Sequence, residues 1–474
     1  MVYIAAALKK DDGDASNLIK KMLLNTIVLE GDYIGVSSSI GIEYVQKLES
    51  IKNDEDCLMS VVNNKNQYPL QPLFQGNSFA FEGYMFQSNE PDAIWIANKL
   101  RSDPKKGITK MIKENVGAFS IITVNDDLIM CGRDIVGTIP LYFGENSSFA
   151  AVANNKKMLW SLNLEPEPVE PGTVVKISKK QNKIRKISEL SLPRIQKYPE
   201  NVTIETIDKI LKDIATMLTK KNPEYAISFS GGIDSTLVAH YLKESGATLD
   251  LICVGINQQK EYSKAKLAAD YLDLPLKVEP KTPEELESAL PEILRMVEDP
   301  NLMKIGVAAP LFFSAKEARK MNLSYLCSGN GSDELFGGYK KYLRMHLGGE
   351  DPRMEMYNDL KKSWKTNFDR DTKVCRDVGV DLILPFAHPR LIEYGLSLPL
   401  DYLLPDKMDK LRKIIIRKLA KSLGIPDEIS YRPKRAAQYS SGVQKTISKI
   451  AKKYGKKPWD YLDDIFVKMK KSYL

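Results

Sequence analysis

At 474 residues the chain exceeds what one compact core organises, so two or three domains are expected. Five cysteines without Cys-x-x-Cys spacing and three scattered histidines (His240, His346 and His388) argue against zinc and for a reducing interior. A net charge of +8 allows an acidic partner, while no apolar run is long enough to cross a membrane and no charged leader precedes a hydrophobic segment, so a soluble cytoplasmic protein is expected.

In chain order, Ala118 to Val124 and Leu128 to Cys131 alternate as strands do. The segment from Ser191-Leu192-Pro193 to Asn201-Val202-Thr203 is polar, contains two prolines and reads as a linker, followed by an amphipathic helix over Ile204 to Leu218. These features divide the chain into domains 1–195 and 196–474. No long-period repeat or low-complexity block is present.

The apolar run Tyr225 to Phe229 enters Ser230-Gly231-Gly232-Ile233-Asp234-Ser235-Thr236, and a helix-like stretch, Leu237 to Leu242, follows. Adjacent glycines let the backbone pass within contact distance of an anion, and a helix starting there directs N–H groups and its positive dipole end at it. Ser230, Ser235 and Thr236 add hydroxyl donors, and Asp234 is placed to hold the magnesium that accompanies a nucleotide. Gly-Gly followed by Asp and Ser is also ordinary turn and helix-cap chemistry, but the strand, loop and helix context favours a nucleotide. Gly-x-x-x-x-Gly-Lys-Ser/Thr is absent, as is a helix-opening Gly-x-Gly-x-x-Gly. The expected chemistry is cleavage of ATP between the α and β phosphates, leaving AMP on a substrate.

About a hundred residues on, Ser324 to Cys327 reads as a strand running into Ser328-Gly329-Asn330-Gly331-Ser332-Asp333-Glu334-Leu335-Phe336-Gly337-Gly338-Tyr339. Taken alone, Ser-Asp-Glu after glycines also suits a helix start. In a parallel sheet, however, loops at the carboxyl ends of neighbouring strands converge, so Asp333 is expected to meet Asp234 across a shared magnesium. Toward the C-terminus, lysines gather at 445, 449, 452, 453, 456 and 457 near Trp459 and Tyr461. Such a patch could suit RNA, yet it reads equally as the solvated face of a helix and no RNA module is evident, so nucleic-acid binding is disfavoured.

The two glycine loops together resemble the synthetase domain of glutamine-dependent asparagine synthetases. Further stretches follow the same pattern: Asn367 to Asp371, Gly379 to Phe386, Lys413 to Arg417, and Arg432 to Gly442. The first third resembles that family's glutaminase domain in Gln71-Pro72, Phe81-Glu82-Gly83-Tyr84, Gly117 to Ser120 and Gly132 to Gly144. The resemblance implies an α/β protein: an N-terminal αββα Ntn-hydrolase-like sandwich, and a C-terminal parallel-sheet ATP-pyrophosphatase (PP-loop) domain. It also implies ATP and Mg2+ as cofactors, with Ser230, Gly231, Gly232, Asp234, Ser235, Thr236, Gly329 and Gly331 around the nucleotide and Asp234 and Asp333 on the metal. Lys434 matches the family lysine at the reaction centre, where a fixed charge would stabilise an oxyanion, although composition alone suggests a surface lysine. Asp381 either deprotonates the amine, holds Lys434 or is a solvated turn residue.

Several residues depart from the family pattern. The glutaminase nucleophile is a cysteine at residue 2, where this chain has Val2, and the Asn-Gly pair at the oxyanion becomes Glu82-Gly83, so the first domain is expected not to hydrolyse glutamine. Asn330 replaces a glutamate, or the tyrosine of β-lactam synthetases, and can hydrogen-bond but not take a proton. Asp381 keeps an acid, Ile383 replaces an arginine, and His388 replaces an aspartate. The resulting expectation is an amide-forming ligase acting on a carboxylate, aspartate or an analogue, with ammonia or a separate glutaminase as the nitrogen source, and a homodimer is compatible with it. A cyclase on another carboxylate, a tRNA-adenylating enzyme and a non-catalytic scaffold are the alternatives.

Overall fold

The computed structural model describes residues 2–11, 13–24, 26, 32–52, 55–63, 69–74, 77–88, 90–125, 127–256, 259–406, 411–433 and 441–473. Two compact units divide the chain: Met1–Glu189 with Val467–Leu474, and Leu190–Phe466.

The first unit stacks a seven-stranded sheet on a six-stranded one, and strands within each pair antiparallel. Strand Val2–Lys9 shows why the layers form, because side chains along a strand alternate between its faces. Tyr3, Ala5 and Ala7 join helices Ser16–Leu23 and Lys156–Trp160 in one core, whereas Ile4, Ala6 and Leu8 join Ala80, Ile122, Val124, Ile129 and Val175 of the facing sheet in another. Helices Asp92–Leu100 and Pro104–Lys113 cover the outer face of the second sheet. The approach there is close: a Cβ on Gly132 would stand 2.5 Å from a methyl of Ile108. The expected strands are Gly117–Asn125 and Leu128–Arg133. The last residues pack by aromatic contact, with Tyr473 stacked on Trp160 and Lys470 Nζ 4.6 Å from the Trp160 ring centroid.

The second unit is built on five parallel strands: β1 (Glu224–Ser228), β2 (Thr248–Ile256), β3 (Leu276–Lys281), β4 (Tyr325–Cys327) and β5 (Asp381–Ile383). Their spatial order is β3-β2-β1-β4-β5. The chain reverses its direction of winding between β1 and β4, and at such a switch point the connecting loops diverge and leave a crevice beyond the strands' carboxyl ends. The helix expected from Ile204 starts earlier, at Glu200 directly after Pro199, and runs to Lys221. Proline before an acidic first turn suits a helix start, and Ile207, Ile210, Leu211, Ile214 and Leu218 form its buried stripe.

Helix Asp369–Val378 is unusual in being buried along nearly its whole length while carrying mostly charged residues. Charges survive burial when paired. Lys373 Nζ lies 2.9 Å from Glu298 and 2.8 Å from Asp369, and Arg370 grips Asp371. Among the described residues no helix is long and apolar enough to cross a membrane, and all five cysteines are buried.

Candidate active site

The first glycine loop leaves the end of β1 and opens helix Ile233–Glu244. Gly231 has φ +60°, and a Cβ there would come within 2.7 Å of Ala265 Cα, so glycine meets both a conformational and a steric requirement. Ser230 Oγ accepts the Gly232 N–H at 3.2 Å and lies 3.4 Å from Ser235 Oγ. Ser230 is exposed, whereas Thr236 is fully buried and is the least accessible of the three hydroxyls.

The second loop leaves the end of neighbouring β4 and packs directly on the first. A Cβ on Gly329 would stand 2.8 Å from Asp234 Cβ, and Gly331 has φ +96°. Ser332 Oγ donates to Asp234 Oδ1 at 2.8 Å. Between the two acids lies Lys413, whose Nζ is 2.7 Å from Asp234 Oδ1, 2.7 Å from Asp333 Oδ1 and 3.1 Å from Ser332 Oγ. Lys413 is buried and takes the left-handed backbone, φ +62°, a strained choice for a lysine that persists only where surroundings over-determine it. Gly338 closes over this arrangement, since a Cβ there would collide with Asp333 Oδ1 and Lys413 Cε.

Two arginines complete the crevice. Arg432 Nη2 donates to the carbonyl of Gly231, laying a guanidinium over the first loop. Fully buried Arg417 bonds the carbonyls of Arg412 at 2.5 Å, Ser430 at 2.5 Å and Arg432 at 3.1 Å, tying the Lys413 segment to the Arg432 segment. Glu334, next to Asp333, is buried and accepts from Tyr339 Oη at 2.6 Å and Asn367 Nδ2 at 2.7 Å. Burial, then the Asp333 charge, raises its carboxyl above the usual range.

Of the residues singled out in the sequence, Asp234, Asp333, Ser230, Ser235 and the loop glycines therefore share one crevice. Asn330 also lies in it, but its amide donates to Asp371 Oδ2 at 2.7 Å. Asp381 opens β5 in register with Tyr325, at the amino end of its strand, while the loops leave the carboxyl ends. Lys434 lies outside the described residues. Lys413, Arg417 and Arg432 fall in stretches that follow the family pattern, with no individual role assigned from sequence. Nothing local announces Lys413, because its partner Asp234 is 179 positions away.

In the first unit, Glu82 is buried and accepts from Asn154 Nδ2 at 2.7 Å. Gln71 bonds the main chain of Phe81, ten residues further on, in both directions, Nε2 to its carbonyl at 3.1 Å and Oε1 from its N–H at 2.7 Å.

The asparagine synthase family profile matches residues 206–355 and 344–458, together more than half of the chain. The chain belongs to the asparagine synthase family. It is 29% identical over 388 residues to a putative glutamine-hydrolysing asparagine synthetase of Methanocaldococcus jannaschii, covering 71% of each protein. It is 26% identical over 373 residues to the glutamine-hydrolysing asparagine synthetase of Mus musculus, covering 72% of this chain and 66% of that one. Among solved structures, a glutamine phosphoribosylpyrophosphate amidotransferase from B. subtilis aligns at 14% identity over 58% of this chain and 65% of its own, with a TM-score of 0.34, too low to carry weight. Asparagine synthase family members of this kind are ATP-dependent ligases.

The donor chemistry suits a magnesium arriving on nucleotide phosphates, since that ion takes one or two carboxylates and leaves its other positions to water and phosphate. Asp234 and Asp333 would hold it, and Lys413 with Arg432 would add fixed positive charge near the phosphates. Where family members carry an aspartate, His388 caps helix Pro389–Leu396 by accepting the Arg390 N–H at Nδ1, 3.2 Å away. Burial, helped by the Arg390 cation, lowers its pKa to about 4.

Two outcomes follow from this geometry. Gly329→Ala should push the loops apart and weaken magnesium-ATP binding at least about tenfold by calorimetry, at a folding cost of about 1–3 kcal/mol. Wild-type affinity in that variant would show the close approach to be dispensable. For His388, whose folded pKa lies below its unfolded value of about 6.5, the stability contribution is complete above that pH and is lost as pH falls toward about 4. His388→Asn, which keeps a cap acceptor without titrating, should therefore melt with a flatter pH dependence between about 6.5 and 4.

Proposed function

We propose that the second unit forms an amide at the expense of ATP, in the manner of an asparagine synthetase supplied with ammonia. The observation that carries this reading is the Asp234–Lys413–Asp333 bracket between two glycine loops at a sheet switch point. A carboxylate oxygen of the substrate attacks the α-phosphorus, and pyrophosphate leaves. The amine nitrogen then attacks the acyl carbon, AMP departs and one proton is lost. The Lys413 ammonium and the Arg432 guanidinium stabilise the negative charge that accumulates on the phosphates, and the N-terminus of helix Ile233–Glu244 adds its dipole. When bound, magnesium supplies further charge neutralisation at Asp234 and Asp333. Lys434 is proposed at the acyl centre on family grounds, whereas Asp381, at the amino end of β5, is left out of that role.

The first unit is proposed to be an Ntn-hydrolase-like domain that does not hydrolyse glutamine. Supporting this, Glu82 and Asn154 form a buried pair at the position where the family's oxyanion donors stand, and a carboxylate there opposes developing negative charge. Ammonia would come from solution or a separate glutaminase, and the setting proposed is the cytoplasm. Ligation or cyclisation of a different carboxylate is the second reading, favoured by Asn330, which is held by Asp371 and offers the crevice a neutral amide where the asparagine synthetase pattern has a glutamate.

Incubation with magnesium-ATP, aspartate and either ammonium or glutamine should give AMP, pyrophosphate and asparagine from ammonium alone. Asparagine from glutamine would overturn the proposal for the first unit. ATP turnover without asparagine would move the substrate to another carboxylate. Magnesium-ATP should also raise the melting temperature of the wild type but not of Asp234→Ala.

A further inference from the structure

Asn330 lies between Gly329, which packs on Asp234, and Gly331-Ser332, whose hydroxyl bonds Asp234. It is partly exposed, so its side chain borders the crevice. Its partner Asp371 is fully buried on helix Asp369–Val378. Arg370 grips both oxygens of that carboxylate, Nε to Oδ1 at 2.7 Å and Nη2 to Oδ2 at 2.9 Å. The helix itself is pinned by Lys373 on Glu298 and Asp369.

A carboxylate clamped by a guanidinium can only accept hydrogen bonds, so it dictates which end of the Asn330 amide faces it. The NH2 group turns to Asp371, and Oδ1 must point the other way. Among the described residues Oδ1 accepts no hydrogen bond, which leaves an oriented acceptor at the second glycine loop.

We infer that Asp371, clamped by Arg370, is a positioning residue that fixes Asn330 as a neutral hydrogen-bond acceptor for an N–H of the incoming ammonia or primary amine. This rests on the amide-forming reading above. The amide orients the amine without taking its proton, so the proton must leave through another group. With Asp371 made neutral the amide is free to flip, and its NH2 would then oppose the N–H donors of the amine.

The lock is read without turnover by labelling asparagine side chains with 15N. The NH2 pair that disappears in Asn330→Ala should be shifted and slow to exchange in the wild type, and should move in Asp371→Asn. A pair at ordinary solvent-exposed positions would overturn the inference. In the ligase assay Asp371→Asn should raise the KM for ammonium about tenfold, with kcat within about twofold and the magnesium-ATP melting shift retained. Should that variant fail to fold, Asn330→Ala takes its place and should show the same rise in KM. An unchanged KM for ammonium would overturn the inference even with ligase activity intact. A wild type that neither binds magnesium-ATP nor forms AMP would overturn the ligase reading instead, leaving the NMR result to decide the lock.

Discussion

One ammonium between two carboxylates holds three remote segments of the second unit in a single crevice. Lys413 Nζ stands 2.7 Å from both Asp234 and Asp333, which come from different glycine loops. Without that cation the two acids would repel one another at close quarters in a poorly solvated site, and breaking such a buried arrangement typically costs about 3–5 kcal/mol. The ion pairs also explain the left-handed backbone at Lys413, a conformation that costs about 1–3 kcal/mol in isolation.

The glycines are the steric counterpart of that electrostatic constraint. Gly231 lets the first loop pass against Ala265, Gly329 lets the second loop touch Asp234, and Gly338 leaves room for Asp333 beside Lys413. Arg417 then joins the segment carrying Lys413 to the one carrying Arg432 through main-chain carbonyls, so the cations face the loops without depending on side-chain contacts alone. The site is thus organised by close backbone approaches that side chains at these positions would prevent.

A second polar layer lies beneath the crevice, on helix Asp369–Val378. Its low hydrophobicity would suit a surface helix, yet internal ion pairs let it sit in the core and present Asp371 to Asn330. Burial of this helix converts a replaceable asparagine into an oriented one.

Much of this was legible in residues that act locally. A strand, a Gly-Gly turn and a helix are adjacent in sequence, so the first loop could be read from Tyr225 to Leu242, and the second from Ser324 to Tyr339. The two strands pair in parallel as neighbours, and the rule that loops at the carboxyl ends of neighbouring strands converge brings Asp333 to Asp234. The helix begins at Glu200, four residues ahead of its apolar pattern, because its polar first turn reads as linker in sequence while Thr203 and Ile207 are buried in the fold. Sequence by itself determined where the two strand–glycine turn–helix segments fall, since glycine spacing and helix starts are short-range properties. Only the tertiary structure decided that Lys413 lies between the acids, that Asp371 receives the Asn330 amide, and that Glu82 pairs with Asn154. Those contacts join residues far apart in the chain, and a charged side chain carries no local mark of the partner that will satisfy it once both are withdrawn from water.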